Sequence, residues 1–500
     1  MTRQYDNYAE LITFSRSSSG TALRPVSYGD ELVTNGDFDS DVSGWPTIAA
    51  VSPTWDAGRL SQVHDYQSTG AYQTFSTTVG KIYEATGTLV SSSLFTSNFL
   101  LRAGNGTAPN AGLVDSESIS SNNTTVSVVF VATGTTSYVY LRGDSGATSV
   151  WDNVSVKEVL FDQPNAPLTL FNHPAGIPRI EYDADGNVLG LLVEESRTNL
   201  LPYSEDFSNA AWIKSGSTVT ASEADAPDGT KSAYEVDLNS GGTIYESVIV
   251  AAVAHTFSVW LRADESGQIR LARTNLGSDG VDVNVTTEWK RFDVVITPTT
   301  TNDGPQVRRN NAGQLSKVYI WGAQLEAGAF PTSYIPTSGS TATRAADVAS
   351  IPVSAFGYNQ SEGTVVVEGL RFGTSAVFPR IASINDGTTS NEIYATIFGS
   401  TNQAVTHVVL GGTVETTLSP VTIGAGLFAK IARSYKNNSS YPAINGVAQA
   451  EDTTVSIPSG LSQVNIGQRP ASAEYLNGYI KSIKYYPRAL TAAQLQELTT

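Results

Sequence analysis

The stretch GLLVEESRTNLLPYSEDFSNAAW, which runs from Gly190 to Trp212, decides how this chain is interpreted. It places two carboxylates, an arginine and an asparagine between apolar residues, and it ends on a phenylalanine and a tryptophan. A looser copy, DELVTNGDFDSDVSGW, runs from Asp30 to Trp45. This pattern fits either a catalytic constellation or the opening of a structural module that the chain uses twice.

The spacing of the aromatic residues favours a repeated module. Phe38 precedes Trp151 by about 113 residues, and Phe207 precedes Trp321 by about 114. Each interval is rich in short alternating stretches such as TSYVYLRG (136–143). Such alternation is typical of half-buried strands. We therefore predict two related β-sandwiches.

Composition bounds the fold and the class of partner. Five hundred residues are too many for one core, and 43 glycines with only 15% charged residues favour strands and turns. The chain has no cysteine, which excludes disulfides and thiolate chemistry. A net charge of −17 argues against nucleic-acid binding. No apolar run approaches the roughly 20 residues of a membrane span, so we expect no membrane insertion.

The stretches around the first sandwich predict how the modules are joined. Residues 10–29 and 176–195 have the pattern of strands in one small sheet, with DADG (183–186) as a hairpin turn. The first sandwich would then be inserted into a framework at a turn. We predict an all-β chain of three β-sandwich or jelly-roll modules, the first inserted into the second, with a short C-terminal helix. The predicted segments are an N-terminal arm that pairs with the second module (1–29), the inserted sandwich (30–159), a second sandwich with a linker (160–351) and a jelly roll (352–500).

Three sets of motifs resemble known families. LNGYIKSIKYYPRALTAAQLQEL (476–498) resembles the end of a laminin-G/concanavalin-A-like jelly roll, in which a helix follows the last strand. NGDF and SGW (35–45), with WDNVSV (151–156), resemble a carbohydrate-binding sandwich of the family 4/9 type. The opening stretch, together with YIWGAQLEAGAFPTSYIPT (319–337) and TRAADV (343–348), resembles modules of phage tail fibres and head fibres. Those modules join a strand like FSRSSSGTA (14–22) to a strand like PRIEYD (178–183) by a short turn, whereas an insert of about 130 residues (30–159) separates the two here, which supports the insertion.

These resemblances imply a structural phage virion protein, either a fibre or a capsid decoration protein. We expect it on the virion surface, in contact with other virion proteins, after synthesis in the host bacterial cytoplasm without a signal peptide. Identical chains would associate, and a trimer is the expected state. The displayed modules would bind host-surface or environmental glycans, with many weak sites acting together.

Two alternatives remain open at this point: a polysaccharide-degrading enzyme with accessory binding modules, and a capsid-stabilising protein without a ligand. Glycoside hydrolysis needs two carboxylates about 5–10 Å apart. The last module has no Glu-x-Asp-x-x-Glu run and offers Glu368 alone within its strand VVVEGLRF, so we predict no enzymatic activity. For Glu194, Glu195 and Arg197 we predict a surface ion-pair or backbone-capping role.

Candidate ligand-binding residues follow from residue type and from the family 4/9 resemblance. Trp55, Tyr66 and Tyr72 are the aromatic residues in the first sandwich that could stack on a sugar ring. The resemblance implies a structural calcium ion between Asp39 and Asp152, because calcium prefers carboxylate and carbonyl oxygens. We expect no other cofactor.

Overall fold

The computed structural model of the chain divides into two compact units. The inserted unit is Arg24–Leu168, and the framework unit is Met1–Leu23 with Thr169–Thr500. Strands hold 53% of the chain and helices 2%, which confirms the predicted all-β fold class. The division does not separate residues 169–351 from 352–500, so the four-segment organisation stays a prediction.

The described residues cover most of the chain. The structure describes residues 11–500 except 49–51, 66–68, 96–98, 117, 144, 223, 249, 275–279, 299–302, 374–377, 400–401, 417–418 and 473. The first ten residues of the predicted N-terminal arm therefore lie outside the described residues.

The strands are short and follow one another closely along the chain. The first thirteen are β1 Thr13–Ser15, β2 Gly20–Glu31, β3 Thr47–Ile48, β4 Thr54–Trp55, β5 Leu60–Val63, β6 Thr69–Ser76, β7 Ile82–Ser92, β8 Leu100–Gly104, β9 Val114–Asp115, β10 Thr124–Val131, β11 Thr136–Gly143, β12 Thr148–Phe161 and β13 Leu168–His173. The next thirteen are β14 Ile180–Tyr182, β15 Val188–Val193, β16 Arg197–Asn199, β17 Trp212–Ala221, β18 Tyr234–Glu246, β19 His255–Arg262, β20 Gly267–Arg273, β21 Gly280–Val285, β22 Lys290–Ile296, β23 Pro305–Arg308, β24 Lys317–Ala327, β25 Ala342–Arg344 and β26 Val348–Pro352. A 3-10 helix at Val353–Ala355 precedes β27 Glu362–Arg371, β28 Ala382–Asn385, β29 Glu392–Phe398, β30 Gln403–Leu410, β31 Thr413–Val414, β32 Val421–Thr422, β33 Ala429–Lys436, β34 Pro442–Ile444, β35 Val447–Ala448, β36 Gln463–Ile466, β37 Gly478–Tyr486 and the helix α1 Ala492–Thr499.

The inserted unit is built from two antiparallel sheets around one core. One sheet has the order β10-β7-β12-β2, with β5 beside β12 and β4 beside β5, and the other has the order β3-β6-β11-β8-β9. Phe38, Trp45 and Trp151 are buried in the core between them. The rings of Phe38 and Trp45 lie 5.4 Å apart, and Trp45 Nε1 donates a hydrogen bond to the carbonyl of Asn35 at 2.9 Å.

The middle of the framework unit is one sheet of eight strands. Its order is β21-β20-β23-β18-β24-β19-β22, and β17 pairs with β18. The second aromatic motif is built like the first: the rings of Phe207 and Trp212 lie 4.9 Å apart, and Trp212 Nε1 donates to the carbonyl of Tyr203 at 2.8 Å. Both aromatic pairs are buried in apolar cores. The repeated motif is therefore a structural module opening, as its spacing predicts.

The C-terminal sandwich draws strands from distant parts of the framework unit. One sheet has the order β1-β26-β36-β28-β29-β30-β31, with β32 on β30, and the other has the order β14-β15-β37-β27-β33-β34-β35. The hairpin of β14 and β15 confirms the DADG turn. The prediction that β1 and this hairpin share one small sheet is wrong. β1 pairs with β26 at one edge, whereas β15 pairs with β37 in the facing sheet.

The single α-helix among the described residues ends the sandwich as its sequence predicts. Thr491 is the N-cap: its side chain accepts a hydrogen bond from the backbone of Gln494, whose side chain accepts one from the backbone of Thr491. Leu495 is fully buried against the sandwich. Among the residues that the structure describes, no helix is long and apolar enough to cross a membrane.

Substitution of Gly190 by alanine tests the docking of the β14–β15 hairpin. Gly190 has a φ of +123°, and an added Cβ would overlap the carbonyl oxygen of Ile480 on β37. Gly186→Ala is the matched control, because Gly186 also has a positive φ, +81°, but has open space around its Cβ position. We expect Gly190→Ala to lower the free energy of unfolding by about 2–4 kcal/mol and Gly186→Ala by about 1 kcal/mol. Chemical denaturation measures both, and equal losses would contradict the proposed docking.

Candidate functional site

Five charged residues from the phage-fibre-like motifs come together inside the framework unit. They are Arg16, Arg179, Glu194, Arg344 and Asp347, and we call them the central charge cluster. Each is at most 3% exposed. They come from four separate stretches of sequence, FSRSSSG, PRIEYD, VEESRTN and TRAADV. The motifs that resemble phage fibre modules therefore share one buried location.

The two carboxylates of the cluster are divided among the three arginines. Arg179 Nη2 lies 2.6 Å from Asp347 Oδ2 and 2.9 Å from Glu194 Oε2. Arg16 Nη1 lies 3.0 Å from Asp347 Oδ1, and Arg344 Nη2 lies 3.4 Å from Glu194 Oε2. The backbone N–H of Glu194 also donates to Asp347 Oδ2 at 2.9 Å. Every carboxylate oxygen in the cluster thus has a charged partner or a hydrogen-bond donor.

Glu194 stays ionised at neutral pH in spite of its burial. Burial raises the pKa of its carboxyl group, but the charges of Arg344 and Arg179 and two hydrogen bonds from Ser333 outweigh burial and lower the pKa to about 2. Ser333 donates from its backbone N–H at 2.8 Å and from its hydroxyl at 2.7 Å. A carboxyl group with this pKa cannot donate a proton near neutrality. The cluster is a structural ion network.

The role predicted for the charged residues of the opening stretch is therefore only partly correct. Arg197 Nε donates to Glu195 Oε1 at 2.6 Å, and the Glu195 side chain is 32% exposed, so this pair is the predicted ion pair near the surface. The prediction is wrong for Glu194, whose side chain is fully buried. Two arginines from other segments, Arg179 and Arg344, bind this carboxylate in the interior, and neither belongs to the opening stretch.

The aromatic residues predicted to bind sugar do not share one sheet. Trp55 lies on β4 and is 48% exposed, and its Nε1 donates to the carbonyl of Phe38 at 2.8 Å. Tyr72 lies on β6 in the other sheet of the inserted unit and is partly exposed. Tyr66 lies outside the described residues. Stacking on sugar stays a prediction for Trp55 and Tyr72.

The predicted calcium ligands have other contacts. Asp152 Oδ2 lies 3.9 Å from Arg59 Nε, and its Oδ1 accepts a hydrogen bond from the backbone of Asn153 at 2.8 Å. Asp39 is exposed. Within the described ranges, no group of three or more His, Cys, Asp or Glu residues could hold a metal ion. Calcium takes about six to eight oxygens, carbonyl oxygens included, of which Asp39 and Asp152 would supply the carboxylates, so the calcium site stays a prediction.

A row of tyrosines and arginines covers the outward side of β6, β11 and β8 in the inserted unit. Its members are Tyr72, Arg102, Tyr138, Tyr140 and Arg142, and we call this surface the tyrosine–arginine face. Tyr140 pairs across the sheet with Tyr72 on one neighbour and Arg102 on the other. Tyr138 and Arg142 lie two residues to either side of it, so all three share one side of β11. The alternate residues of the three strands fill the core.

The centre of this face is packed and its edges are accessible. Tyr140 is fully buried and lies over Gly70, where an added Cβ would be 2.8 Å from Cε2 of the ring. Burial raises the pKa of Tyr140 to about 12, although the charges of Arg102 and Arg142 act in the opposite direction. Arg102 Nε donates to the carboxylate of Asp115, which is exposed on β9. The Tyr140 hydroxyl thus stays neutral between two cations.

The chemistry of this face suits a neutral polyhydroxylated ligand. Tyr72 and Tyr138 are partly exposed, and their ring centroids lie 6.4 Å apart. Aromatic rings stack on the apolar faces of sugars, and charged side chains hydrogen-bond to hydroxyl groups. Arg102, Arg142 and Asp115 supply such groups around the rings. The Nε atom of Arg142 is buried and has no hydrogen-bond partner among the described residues.

Sequence reasoning identified the strand TSYVYLRG but not the side chains that it presents. Its period of two places Tyr138, Tyr140 and Arg142 together without any structural information. The alternation of residues along TSYVYLRG is therefore sufficient to predict the tyrosine–arginine face from the sequence. Glu368, the acidic residue noted in the last module, lies on β27 with its carboxylate 3.8 Å from Lys481 Nζ.

Comparison with known proteins identifies the fold of the last module. Residues 360–496 match Laminin_G_3, the concanavalin A-like lectin/glucanases superfamily. The C-terminal sandwich is a concanavalin-A-like, laminin-G-type domain. This match covers the jelly roll that the closing motif predicts. No curated protein matches the chain.

Solved structures similar to this chain include carbohydrate-binding and laminin modules. Domain 4 of AbnA, a GH43 extracellular arabinanase from Geobacillus stearothermophilus, was solved in complex with arabinotriose; it is 14% identical, with 35% of this chain and 84% of that chain covered and a TM-score of 0.27. The CBM22-1-CBM22-2 tandem of Xyn10C from Paenibacillus barcinonensis is 13% identical, with 60% and 97% covered and a TM-score of 0.22. Mouse laminin alpha1 domains LG4-5 are 12% identical, with 49% and 88% covered and a TM-score of 0.19. At this level of similarity they carry no argument about function.

Replacement of Asp347 tests whether the central charge cluster is structural. Asp347→Asn would leave Arg16, Arg179 and Arg344 with one carboxylate, and we expect it to lower the free energy of unfolding by about 3–5 kcal/mol. Glu195→Gln removes an acid from the more exposed pair and is the control, with an expected loss below about 1 kcal/mol. Urea denaturation measures the free energy of unfolding of both variants. A similar small loss of unfolding free energy in both would contradict the structural role of the cluster.

The pH dependence of stability gives a second test of the cluster. The pKa of Glu194 in the folded chain is about 2, below its ordinary value of 4.5. Its contribution is therefore fully present above pH 4.5 and is lost as the pH falls towards 2, by about 3 kcal/mol in total. We expect the unfolding free energy of Glu195→Gln to keep this acid slope and that of Glu194→Gln to lose the corresponding part. An unchanged slope in Glu194→Gln would show that Glu194 titrates normally.

Proposed function

We propose that the protein is a structural component of a phage virion, a tail or head fibre or a capsid decoration protein, that binds glycans through the tyrosine–arginine face of its inserted unit. The observation that carries the glycan part is that face, with two partly exposed tyrosine rings beside arginine and aspartate side chains. The phage part rests on the resemblance of the central-cluster motifs to fibre modules.

The composition of the face favours sugar over other ligands. Aromatic rings provide flat apolar surface, and the arginines and Asp115 provide donors and acceptors within the same row of the sheet. A stable protein partner would need a larger contact surface, about 20–30 residues on this side, whereas the face has five. A nucleic acid would meet a chain with a net charge of −17. A glycan uses both kinds of group on a small area.

The shallow sheet surface also suits display on a particle. An open face of few aromatic residues gives weak single-site binding, whereas many copies on one virion give strong overall attachment. This mechanism places the protein on the virion surface with other virion proteins as partners, in a homo-oligomer for which a trimer is the proposed state. Its ligands would be host-surface or environmental polysaccharides.

Glycan binding by the purified full chain tests the proposed site. We expect Tyr72→Ala and Tyr138→Ala each to weaken binding to a responsive bacterial polysaccharide by about tenfold, the loss of one stacked aromatic contact. Tyr28→Ala removes an exposed aromatic residue from the other sheet of the same unit and is the matched control, whereas Trp55→Ala tests the other stacking residue predicted from the sequence. Glycan-array screening followed by calorimetry gives the measurement.

The outcomes of this experiment separate the tyrosine–arginine face from Trp55 as the glycan site. Loss of binding only in Trp55→Ala would place the site at Trp55, one of the residues predicted from the sequence. Absence of binding to any bacterial glycan would overturn the glycan function.

For the virion assignment, an antibody to this chain should label phage particles in electron micrographs, over the head for a decoration protein and at the tail for a fibre. Failure to label either would refute that assignment.

A further inference from the structure

The C-terminal sandwich encloses a cavity of about 1020 Å³ between its two sheets. Aliphatic side chains line most of it, among them Ile384, Ile393, Ile431 and Val464. The lining also includes Pro487 and Arg488, which are exposed, so the cavity reaches solvent at that end. A space of this size is at the upper end of small-molecule sites in proteins. A well-packed sandwich core would contain no such volume.

A buried charged side chain, that of Arg433, lines this apolar space away from its exposed end. Arg433 lies on β33, two residues from Ile431 and two from Tyr435, and all three belong to the inward side of the strand. Its side chain is 1% exposed. Its Nε donates to Thr406 Oγ1 at 3.2 Å and Nη2 donates to the Thr406 carbonyl at 2.9 Å, so it spans the gap to β30 in the facing sheet. Nη1 donates to Ser440 Oγ at 2.7 Å.

The charge of Arg433 has no carboxylate partner among the described residues. All three of its hydrogen bonds go to neutral oxygens. Arg380, in the same sandwich, shows the usual arrangement: its two nitrogens lie 3.1 and 2.6 Å from the carboxylate of Glu392. Burial lowers the pKa of Arg433 to about 9, and the charge of Asp452 only partly opposes this, so the guanidinium remains protonated at neutral pH. A buried cation without a counter-ion is costly.

The unused donors of Arg433 indicate the shape of the missing partner. A guanidinium has five N–H groups, and three are occupied here, which leaves one on each terminal nitrogen. A guanidinium that keeps an N–H group on each terminal nitrogen can bind both oxygens of a carboxylate. Aliphatic side chains form much of the lining and match an unbranched hydrocarbon, and Tyr394, Tyr485 and Tyr486 also lie along it. Head group and body are thus specified by different parts of the cavity.

We propose that this cavity binds an amphipathic monocarboxylate, with its carboxylate on Arg433 and its acyl chain along Ile384, Ile393, Ile431 and Val464. Binding would supply the absent counter-charge and fill the empty volume at the same time. The site lies in the framework unit, and its ligand class differs from the glycans proposed for the inserted unit. Neither proposal depends on the other.

Calorimetric titration of the full chain with dodecanoate, below its micelle-forming concentration, tests this site. We expect one saturable site per chain and about tenfold weaker binding of dodecan-1-ol, which has the same chain but no carboxylate. Arg433→Gln should bind dodecanoate and dodecan-1-ol equally, because only the charge-dependent preference is lost. Arg488→Gln, at the exposed end of the lining, is the matched control and should keep the preference.

Three results would overturn the proposal. They are the absence of saturable dodecanoate binding to the unaltered chain, equal binding of the acid and the alcohol to that chain, and a preference for the acid that survives in Arg433→Gln. Loss of the preference in Arg488→Gln instead would place the head group at the mouth and contradict the assigned orientation. If Arg433→Gln does not fold, the comparison of acid and alcohol on the unaltered chain decides alone. Tyr138→Ala should leave dodecanoate binding unchanged, which separates this test from that of glycan binding.

Discussion

Three guanidinium groups and two carboxylates, all removed from water, fix the arrangement of the framework unit. Arg16, Arg179, Glu194, Arg344 and Asp347 come from four stretches of sequence, and none of these charges can be buried at tolerable cost without the others. The strands that carry or flank them therefore have one arrangement in which each of these charges has an oppositely charged partner. Desolvation offsets much of the attraction within such a network, so the loss of one member costs more stability than the complete network contributes.

The motif with the most conspicuous chemistry is thus structural, and the candidate binding face lies on a strand without a recognisable motif. As a sequence, TSYVYLRG differs little from the other strands of the chain. Its alternate side chains, however, point to opposite sides of the sheet. One side then supplies the core, and the other supplies Tyr138, Tyr140 and Arg142. A sandwich scaffold permits this, because side chains on the outer side of a sheet can change with little effect on the core.

Local features of the structure were accessible from the sequence, and long-range ones were not. Strand alternation, the DADG hairpin and the capping box at Thr491 each depend on a few neighbouring residues. The pairing of Thr13 with Ser350 and the burial of Glu194 depend on partners more than a hundred residues away. Arg433 was missed for a related reason: an arginine in an alternating strand is expected to face water, and only the facing sheet shows that it does not.

The C-terminal sandwich has a consequence for synthesis on the ribosome. Its strands β1 and β15 leave the exit tunnel long before β26 and β37, with which they pair, have been translated. β1 therefore lacks its sheet partner until residues 348–352 have been translated, and the β14–β15 hairpin lacks its partner until residues 478–486 have been translated. A nascent chain that stops before β37 cannot complete the sheet that contains the hairpin, and the strand edges that it leaves unpaired are open to non-native contacts.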